Sequence, residues 1–533
     1  MGYDVVVVGG GSAGCVLAAR LSEDAGRTVM LIEAGPDHPD VRTLPHDVVD
    51  ASEPTVDHDW GYTADAELGR EIPVPRARIM GGCSATNACF ALRGAPQVYD
   101  GWAALGNPGW SFAEVLDDFC RLESDEDFRD QWHGSDGLIP IRRHPAHELN
   151  RAQAAFLDGA VASGHRYVED HNRPGAVGAG PTPRNVRDGM RMSTAVTYLA
   201  LARLRANLTI RPDTVVAHIE CPGTRATGIR LLDGTLIEAD RVVLAGGTYA
   251  SPMILARSGI GPAAALQALD IAPAVDLPGV GSNLVDHPLV SIDLPTRPSP
   301  GPSRFQTHVT FHSAAADLAE PADLLLFTAG PFDVGPDQST GGAVFGIVSG
   351  LMAPRSRGWV RLASNKPSDA PRIHLAHLTD ADDLERMLDA VTEARRLAPQ
   401  LTRCCDYRRD RTVARTGIPD RQPRRTRGMG PHRRLHLPSP RWHLRHGPRS
   451  RWGCGHRLAW LGARDRWTHG RRRLDHADDP DREHEPPDDH GGRAHRAVAP
   501  KHVIRGSRPS NLTQTKLRDS FHTPPVDTNK PCR

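Results

Sequence analysis

The first apolar run of the chain is also its most regular. Asp4-Val5-Val6-Val7-Val8 is short, continuous and β-branched, the pattern of a strand buried on both faces of a parallel sheet. It runs into Gly9-Gly10-Gly11-Ser12-Ala13-Gly14, after which the spacing becomes helical over Ser12–Leu21. A second apolar run, Thr28-Val29-Met30-Leu31-Ile32, ends in Glu33. Residues 36–75 read as loop. Further on, 208–210, 215–219 and 227–232 alternate as a small antiparallel meander turning at Asp233-Gly234. Val242-Val243-Leu244 predicts another buried strand, ending in Ala245-Gly246-Gly247 and feeding a helix with Pro252 in its first turn. Residues 324–327, 344–351 and 359–362 read as strands of one antiparallel sheet with helices behind it. Residues 380–397 form an amphipathic helix whose apolar face carries Leu384, Met387, Leu388 and Val391.

The glycines give the first of these units a chemistry. Gly9, Gly11 and Gly14 have the G-x-G-x-x-G spacing. Gly9 permits the tight turn, Gly11 lets backbone approach a pyrophosphate, and Gly14 lets helix pack close to strand. The N–H groups at the helix start face the anion. Glu33 stands where a carboxylate accepts hydrogen bonds from a ribose 2′-OH. A free 2′-OH disfavours NADP and leaves FAD or NAD open. A second glycine pair, Gly81-Gly82, opens Cys83-Ser84-Ala85-Thr86-Asn87-Ala88. Small residues there let backbone lie against a flat ring, with Asn87 supplying donors and acceptors; a plain turn before a helix fits the same letters.

Composition changes the picture at one place. The 533 residues suffice for two domains. A net charge of +1 makes no case for a nucleic-acid partner. No apolar stretch is long enough to span a bilayer, so a transmembrane segment is not expected. The first apolar run is the nucleotide strand rather than a signal peptide, and the nine cysteines show no metal spacing, so a cytoplasmic, reduced protein is expected. Beyond Leu401, however, roughly a quarter of the next hundred residues are Arg, with abundant His, Pro and Trp, and periodicity vanishes.

The stretch Arg78-Ile79-Met80-Gly81-Gly82-Cys83-Ser84-Ala85-Thr86-Asn87 resembles the R-x-x-G-G-S-S-x-x-N pattern of the GMC (glucose–methanol–choline) oxidoreductases, with Cys83 in place of the first Ser. The resemblance continues at Asp100-Gly101-Trp102, Gly189-Met190-Arg191-Met192-Ser193, Ser251-Pro252 through Gly261, and Gly281-Ser282-Asn283-Leu284-Val285-Asp286-His287-Pro288. It covers nearly all of residues 3–397 and is strongest to the choline-dehydrogenase-type branch; residues 84–94 further resemble mycofactocin-associated members. It implies an α/β fold: a Rossmann-type FAD-binding domain over 1–288, discontinuous, with part of the substrate cap within 90–190, and an α+β substrate domain with an antiparallel sheet over 289–400. Residues 401–533 are then an aberrant, disordered tail. The resemblance also implies FAD held by Gly9, Gly11, Ser12, Ala13, Gly14, Glu33, Ala34, Arg78, Gly81, Gly82, Asn87, Ala88, Val216, Ala245 and Gly246. A small-molecule alcohol would be oxidised to a carbonyl, with hydride passing to flavin N5 and the electrons going on to oxygen, a quinone or another carrier.

The family's base and its partner are a His and an Asn near the C-terminus, and neither motif occurs here. Pro438-Ser439-Pro440 and Glu483-His484-Glu485 stand in their places. Read in a shifted frame, the codons for Leu437 to Pro448 permit Y-H-H-P-V-G-T-C-A-M-G-P, and those for Asp475 to His490 permit I-M-P-T-I-P-T-A-N-T-N-L-P-T-I-M. Two long family strings in one frame and in order predict a frameshift near residues 398–405. The lost His and Asn codons overlap Ser439 and Glu483, so no catalytic residue is assigned in this chain and inactivity is expected. His171, His287 and His374 read as structural. The competing readings are a non-catalytic flavin-binding protein using the new tail and an NAD-dependent dehydrogenase on the same nucleotide unit.

Overall fold

A computed structural model describes residues 2–65, 71–296, 304–333 and 343–404. Strand β1 (Tyr3–Val8), helix α1 (Ser12–Leu21) and strand β2 (Val29–Ile32) follow the apolar pattern closely. They lie in a six-stranded sheet whose order is Leu208–Arg211, β2, β1, Leu236–Leu244, Gly228–Leu231, Val216–Glu220. The first four strands run parallel. Both faces are covered, as a continuous β-branched run requires. Val5, Val7 and Leu31 pack against α1 and Leu199, while Val6, Val8 and Ile32 pack against Ile229, Leu231 and Ile254. Each such side chain contributes about 1.5–3 kcal/mol on burial.

The meander is built differently from its sequence pattern. The 208–211 strand does not join it but pairs parallel with β2, Leu208 opposite Val29. The reason lies one residue earlier. The Asn207 amide donates to the carbonyls of Ser22, Asp24 and Arg27, and its own carbonyl accepts from Val29 N at 2.8 Å. That fixes the chain beside β2 before the strand begins. The antiparallel partners are Val216–Glu220, Gly228–Leu231 and the first residues of Leu236–Leu244, with the expected turn at Asp233-Gly234. The last strand is therefore shared: 236–238 pair antiparallel and 239–244 pair parallel with β1.

A second, five-stranded antiparallel sheet has the order Leu289–Thr296, Ala343–Leu351, Leu324–Asp333, Thr307–Phe311, Gly178–Pro181. Helices Arg151–Ala162 and Ala381–Cys404 cover one face through Phe156, Ala394, Leu397 and Leu401 against Val309, Leu326 and Ile347. Three expectations fail. Trp359–Arg361 leaves this sheet for a four-stranded one with Arg372–His374, Thr63–Asp65 and Glu71–Pro73, because Val360 N is held by Gly281 O at 2.7 Å and its side chain packs with Tyr249 and Met253. Two of those strands and the short helix His46–Val49 also interrupt the 36–75 region read as loop. Leu384 and Leu388 are about half exposed, at 46% and 47%, whereas Met387, Ala390 and Ala394 are buried. The fully buried Asp383 accepts from Arg355 N and Ser356 N at 2.8 Å. Those bonds rotate the start of the helix and turn both leucines outward. The expected division into 1–288, 289–400 and 401–533, and the disordered tail, depend partly on residues beyond 404, which lie outside the described residues. Among the described residues no helix is long and apolar enough to cross a membrane.

Candidate cofactor-binding site

The turn after β1 is defined by what cannot fit there. Gly9 has φ +103°, and a Cβ on it would lie 2.6 Å from the Ala245 carbonyl oxygen. A Cβ on Gly14 would sit on the Gly9 carbonyl oxygen. Gly11 is the opposite case. A Cβ there would sit in ordinary contact with Ala245 O at 3.9 Å and Gly82 Cα at 4.0 Å, so the turn is not filled by its neighbours at that residue. Gly11 is also the N-cap of α1 and offers no side-chain cap. The first N–H groups of α1, at Ser12 and Ala13, are left for an anion.

Three further segments close on this turn. Ala245 N donates to Val8 O at 2.7 Å, and Gly246 caps helix Gly247–Arg257. Glu33 is 7% exposed and accepts from Gly10 N at 2.7 Å and Gly35 N at 2.8 Å. Burial pushes its carboxyl upward, opposed by those backbone N–H groups. Each carboxylate oxygen keeps a lone pair for a hydroxyl donor. Arg78 Nε donates to Ala34 O at 3.1 Å, and its guanidinium lies 5.0 Å from the Trp60 ring centre. Val216, 6% exposed, packs with Ile32 on the other side of β2's end.

The second glycine loop stacks on the first. Gly81 N donates to Gly10 O at 2.7 Å. Gly82 has φ +52°, and a Cβ there would come within 2.6 Å of Gly11 Cα. The loop continues as the short turn Gly82–Ala85, in which Ser84 Oγ donates to Gly81 O at 2.6 Å. Asn87 Oδ1 accepts from Cys89 N at 3.0 Å, and Ala88 is buried. Ser12, Ala13, Ser84 and Asn87 line one cavity of about 1410 Å³, whose far wall carries Phe90, Tyr99 and Trp102. The structure thus gathers Gly9, Gly11, Ser12, Ala13, Gly14, Gly81, Gly82, Ala245 and Gly246 around the turn. Glu33, Ala34 and Arg78 lie beside it, Asn87 and Ala88 at the cavity end, and Val216 at the meander. Uncapped N–H groups at the start of α1, a buried carboxylate with spare acceptor capacity and a cavity that begins at Ser12 and Ala13 fit a dinucleotide.

Two residues that pattern reasoning passed over are central. Arg184 and Arg191 are the largest fully buried side chains, and both bond carbonyls of the 81–88 loop. Arg191 lay inside a quoted motif without a role, because an arginine is expected at the surface. The histidines named earlier make the following contacts. His171 lies against His308, ring centres 3.7 Å apart, and burial holds the His308 imidazole down at about 3. His287 N donates to Asp286 Oδ1, and His374 stacks on Trp359. Glu123, Asp125 and His133 converge closely enough to suggest a cation, but guanidinium groups already occupy the place. Arg143 Nη1 lies 2.9 Å from Asp125, and Arg93 Nη2 lies 2.6 Å from Glu123. Ser439 and Glu483 lie outside the described residues.

A strand–glycine–helix turn with a buried acid, opening at Ser12 and Ala13 on a large cavity, fits an α/β oxidoreductase that binds a nucleotide cofactor. More particularly, the chain belongs to the GMC oxidoreductase family: the N-terminal family model matches residues 3–289 and the C-terminal one matches 354–429. GMC oxidoreductases bind FAD, and the chain is by family an FAD-dependent oxidoreductase. It is similar to an uncharacterized GMC-type oxidoreductase of Rhodococcus erythropolis, 36% identical over 425 residues, 78% of this chain and 82% of that one. It is also similar to the oxygen-dependent choline dehydrogenase of Staphylococcus aureus, 32% identical over 443 residues, 75% and 76% of the two chains. Among solved structures, pyridoxine 4-oxidase from Mesorbium loti superposes with a TM-score of 0.70 at 29% identity, covering 79% of this chain and 84% of that one.

Proposed function

We propose that this chain carries the scaffold of an FAD-dependent enzyme oxidising the CH–OH group of an alcohol, and that the polypeptide as written is inactive. The alcohol class is supported by two relatives whose names specify choline and pyridoxine. In this reading the start of α1 and Gly11 hold the pyrophosphate. Glu33 accepts from the ribose, with Val216 on the adenine side, and Gly81 to Ala88 lie against the ring system. Bound FAD supplies the hydride acceptor. The cavity walls orient the alcohol and exclude water.

A base for the hydroxyl proton is the missing part. His308 is a poor substitute, since burial holds its imidazole at about 3, far below the range that suits proton abstraction near neutrality. The observation that carries the inactivity is the tail's own sequence. From about residue 401 it is arginine-rich and aperiodic, and both missing family strings are permitted in one shifted frame. The division at residues 288 and 400 and a cytoplasmic location belong to the same reading.

The deciding experiment is sequencing the coding DNA from codon 395 to codon 490. That window holds the expected break at 398–405 and the codons from which both family strings are read. Codons that fail to spell those strings in the shifted frame would overturn the frameshift. Turnover of any alcohol by the purified chain would overturn the inactivity. A preparation without a flavin spectrum, but with NAD bound, would favour the nicotinamide alternative.

A further inference from the structure

Arg191 is 1% exposed, and all its partners are backbone carbonyls. Nη1 donates to Asp47 O at 3.0 Å, Val48 O at 2.6 Å and Ala85 O at 3.2 Å. Nη2 donates to Glu53 O at 2.6 Å, and Nε to Asn87 O at 2.9 Å. The nearby carboxylates are committed elsewhere: Asp47 accepts from Thr55 at 2.6 Å, and Glu53 pairs with Arg304. Among the described residues no carboxylate reaches the Arg191 guanidinium. A full charge therefore sits in the interior, solvated by carbonyl dipoles alone. Such a charge persists only where every donor is satisfied, and its field in a low-dielectric surround extends well beyond its contacts.

Two of those carbonyls, Ala85 and Asn87, belong to the cofactor loop, and the other three belong to residues 47–53. Arg191 thus ties two segments that are far apart in sequence. Because the peptide is planar and trans, a carbonyl drawn to one side sends the next N–H to the other. The Ala88 N–H therefore points away from the guanidinium, and no acceptor meets it among the described residues.

We infer that Arg191 is a positioning residue of the flavin loop: it holds Ala85 to Asn87 in one orientation, beside Arg184 on Ala88 O, and lends the site a buried positive charge that favours reduced over oxidised flavin. The inference rests on the FAD reading above and goes beyond it, since it concerns which redox state the loop prefers. Reduced flavin carries negative charge at neutral pH, and oxidised flavin does not.

The test uses the full chain, its R191K variant, which keeps the charge but has fewer donors, and R191M, which has neither. Dissociation constants are measured for oxidised FAD in air and for FAD reduced by dithionite without oxygen. R191M should lose about tenfold of the preference for reduced FAD, equivalent to a midpoint potential lower by about 30 mV, and R191K should keep most of it. Equal weakening of both redox forms in R191M, or loss of the preference in R191K as well, would overturn the role of the charge. Amide exchange provides a readout that needs no flavin. R191M should exchange at least tenfold faster at 81–88 and 47–53, with strand Leu324–Asp333 unchanged as a control for global unfolding. Unchanged protection in the loop would overturn the positioning role. If the unaltered chain takes up neither form of FAD, the FAD reading and the redox preference drawn from it both fall, and the exchange result alone decides whether Arg191 holds the loop.

Discussion

Two glycine loops meet where β1 ends, and they are held in different ways. The Gly9 to Gly14 turn takes its path mainly from neighbours in sequence, with β1 leading in, α1 leading out and Glu33 at the end of the next strand bonding Gly10, and Ala245 closes it from below. The Gly81 to Ala88 loop takes its shape from residues about a hundred positions away, through Arg191 and Arg184. A locally determined turn leaves a motif of fixed spacing. A remotely determined one leaves small residues whose purpose depends on side chains written elsewhere.

Substitutions can break that comparison, starting where the effect is largest. Gly14→Val places a branched side chain on the Gly9 carbonyl. It should cost more than about 3 kcal/mol, enough to abolish cooperative unfolding, as calorimetry would show. Gly82→Ala meets Gly11 Cα and needs φ +52°. A loss of about 1–3 kcal/mol in urea unfolding is expected. An equal or larger loss than at Gly14 would show that the second loop is no more pliable than the first.

The ion cluster that Arg93 and Arg143 share with Glu123, Asp125, His133 and Asp170 adds a pH dependence. Burial alone would lower the His133 imidazole, but Asp125, Asp170 and Glu123 override it and raise it to about 11. The folded pKa therefore lies above the unfolded value near 6.5. Its contribution is complete below pH 6.5 and is lost as pH rises through about 11. Stability measured between pH 7 and 11 should fall in the parent and flatten in H133Q. The smallest change is Asn150→Ala, which removes the cap on Gln153 N at 3.0 Å in a helix remote from both loops. It should cost about 1 kcal/mol and leave FAD affinity untouched, a control that ties the other effects to the site.

The same contrast explains what could be read from the letters. β1, α1 and β2 were legible because burial on both faces writes itself as an unbroken apolar run. The placement of 208–211 was not, because three bonds from the Asn207 amide, not the strand's own residues, choose its neighbour. Leu384 and Leu388 obey helical spacing, yet the bonds to buried Asp383 set which way the helix faces. Glu33 was found by its distance from the glycines. Arg191 was not assigned a role, since nothing in a sequence marks an arginine whose partners are all main-chain oxygens.

The strand Leu236–Leu244 has a mechanical consequence. One length of chain is zipped on one part to the hairpin strand Gly228–Leu231 and on the other to β1, the strand feeding the first glycine turn, and it ends beneath Gly9 at Ala245. Peeling the hairpin away therefore pulls on the floor of the turn. The hairpin and the glycine turn should come undone as one, so a nick or crosslink at the hairpin tip would be felt at Gly9.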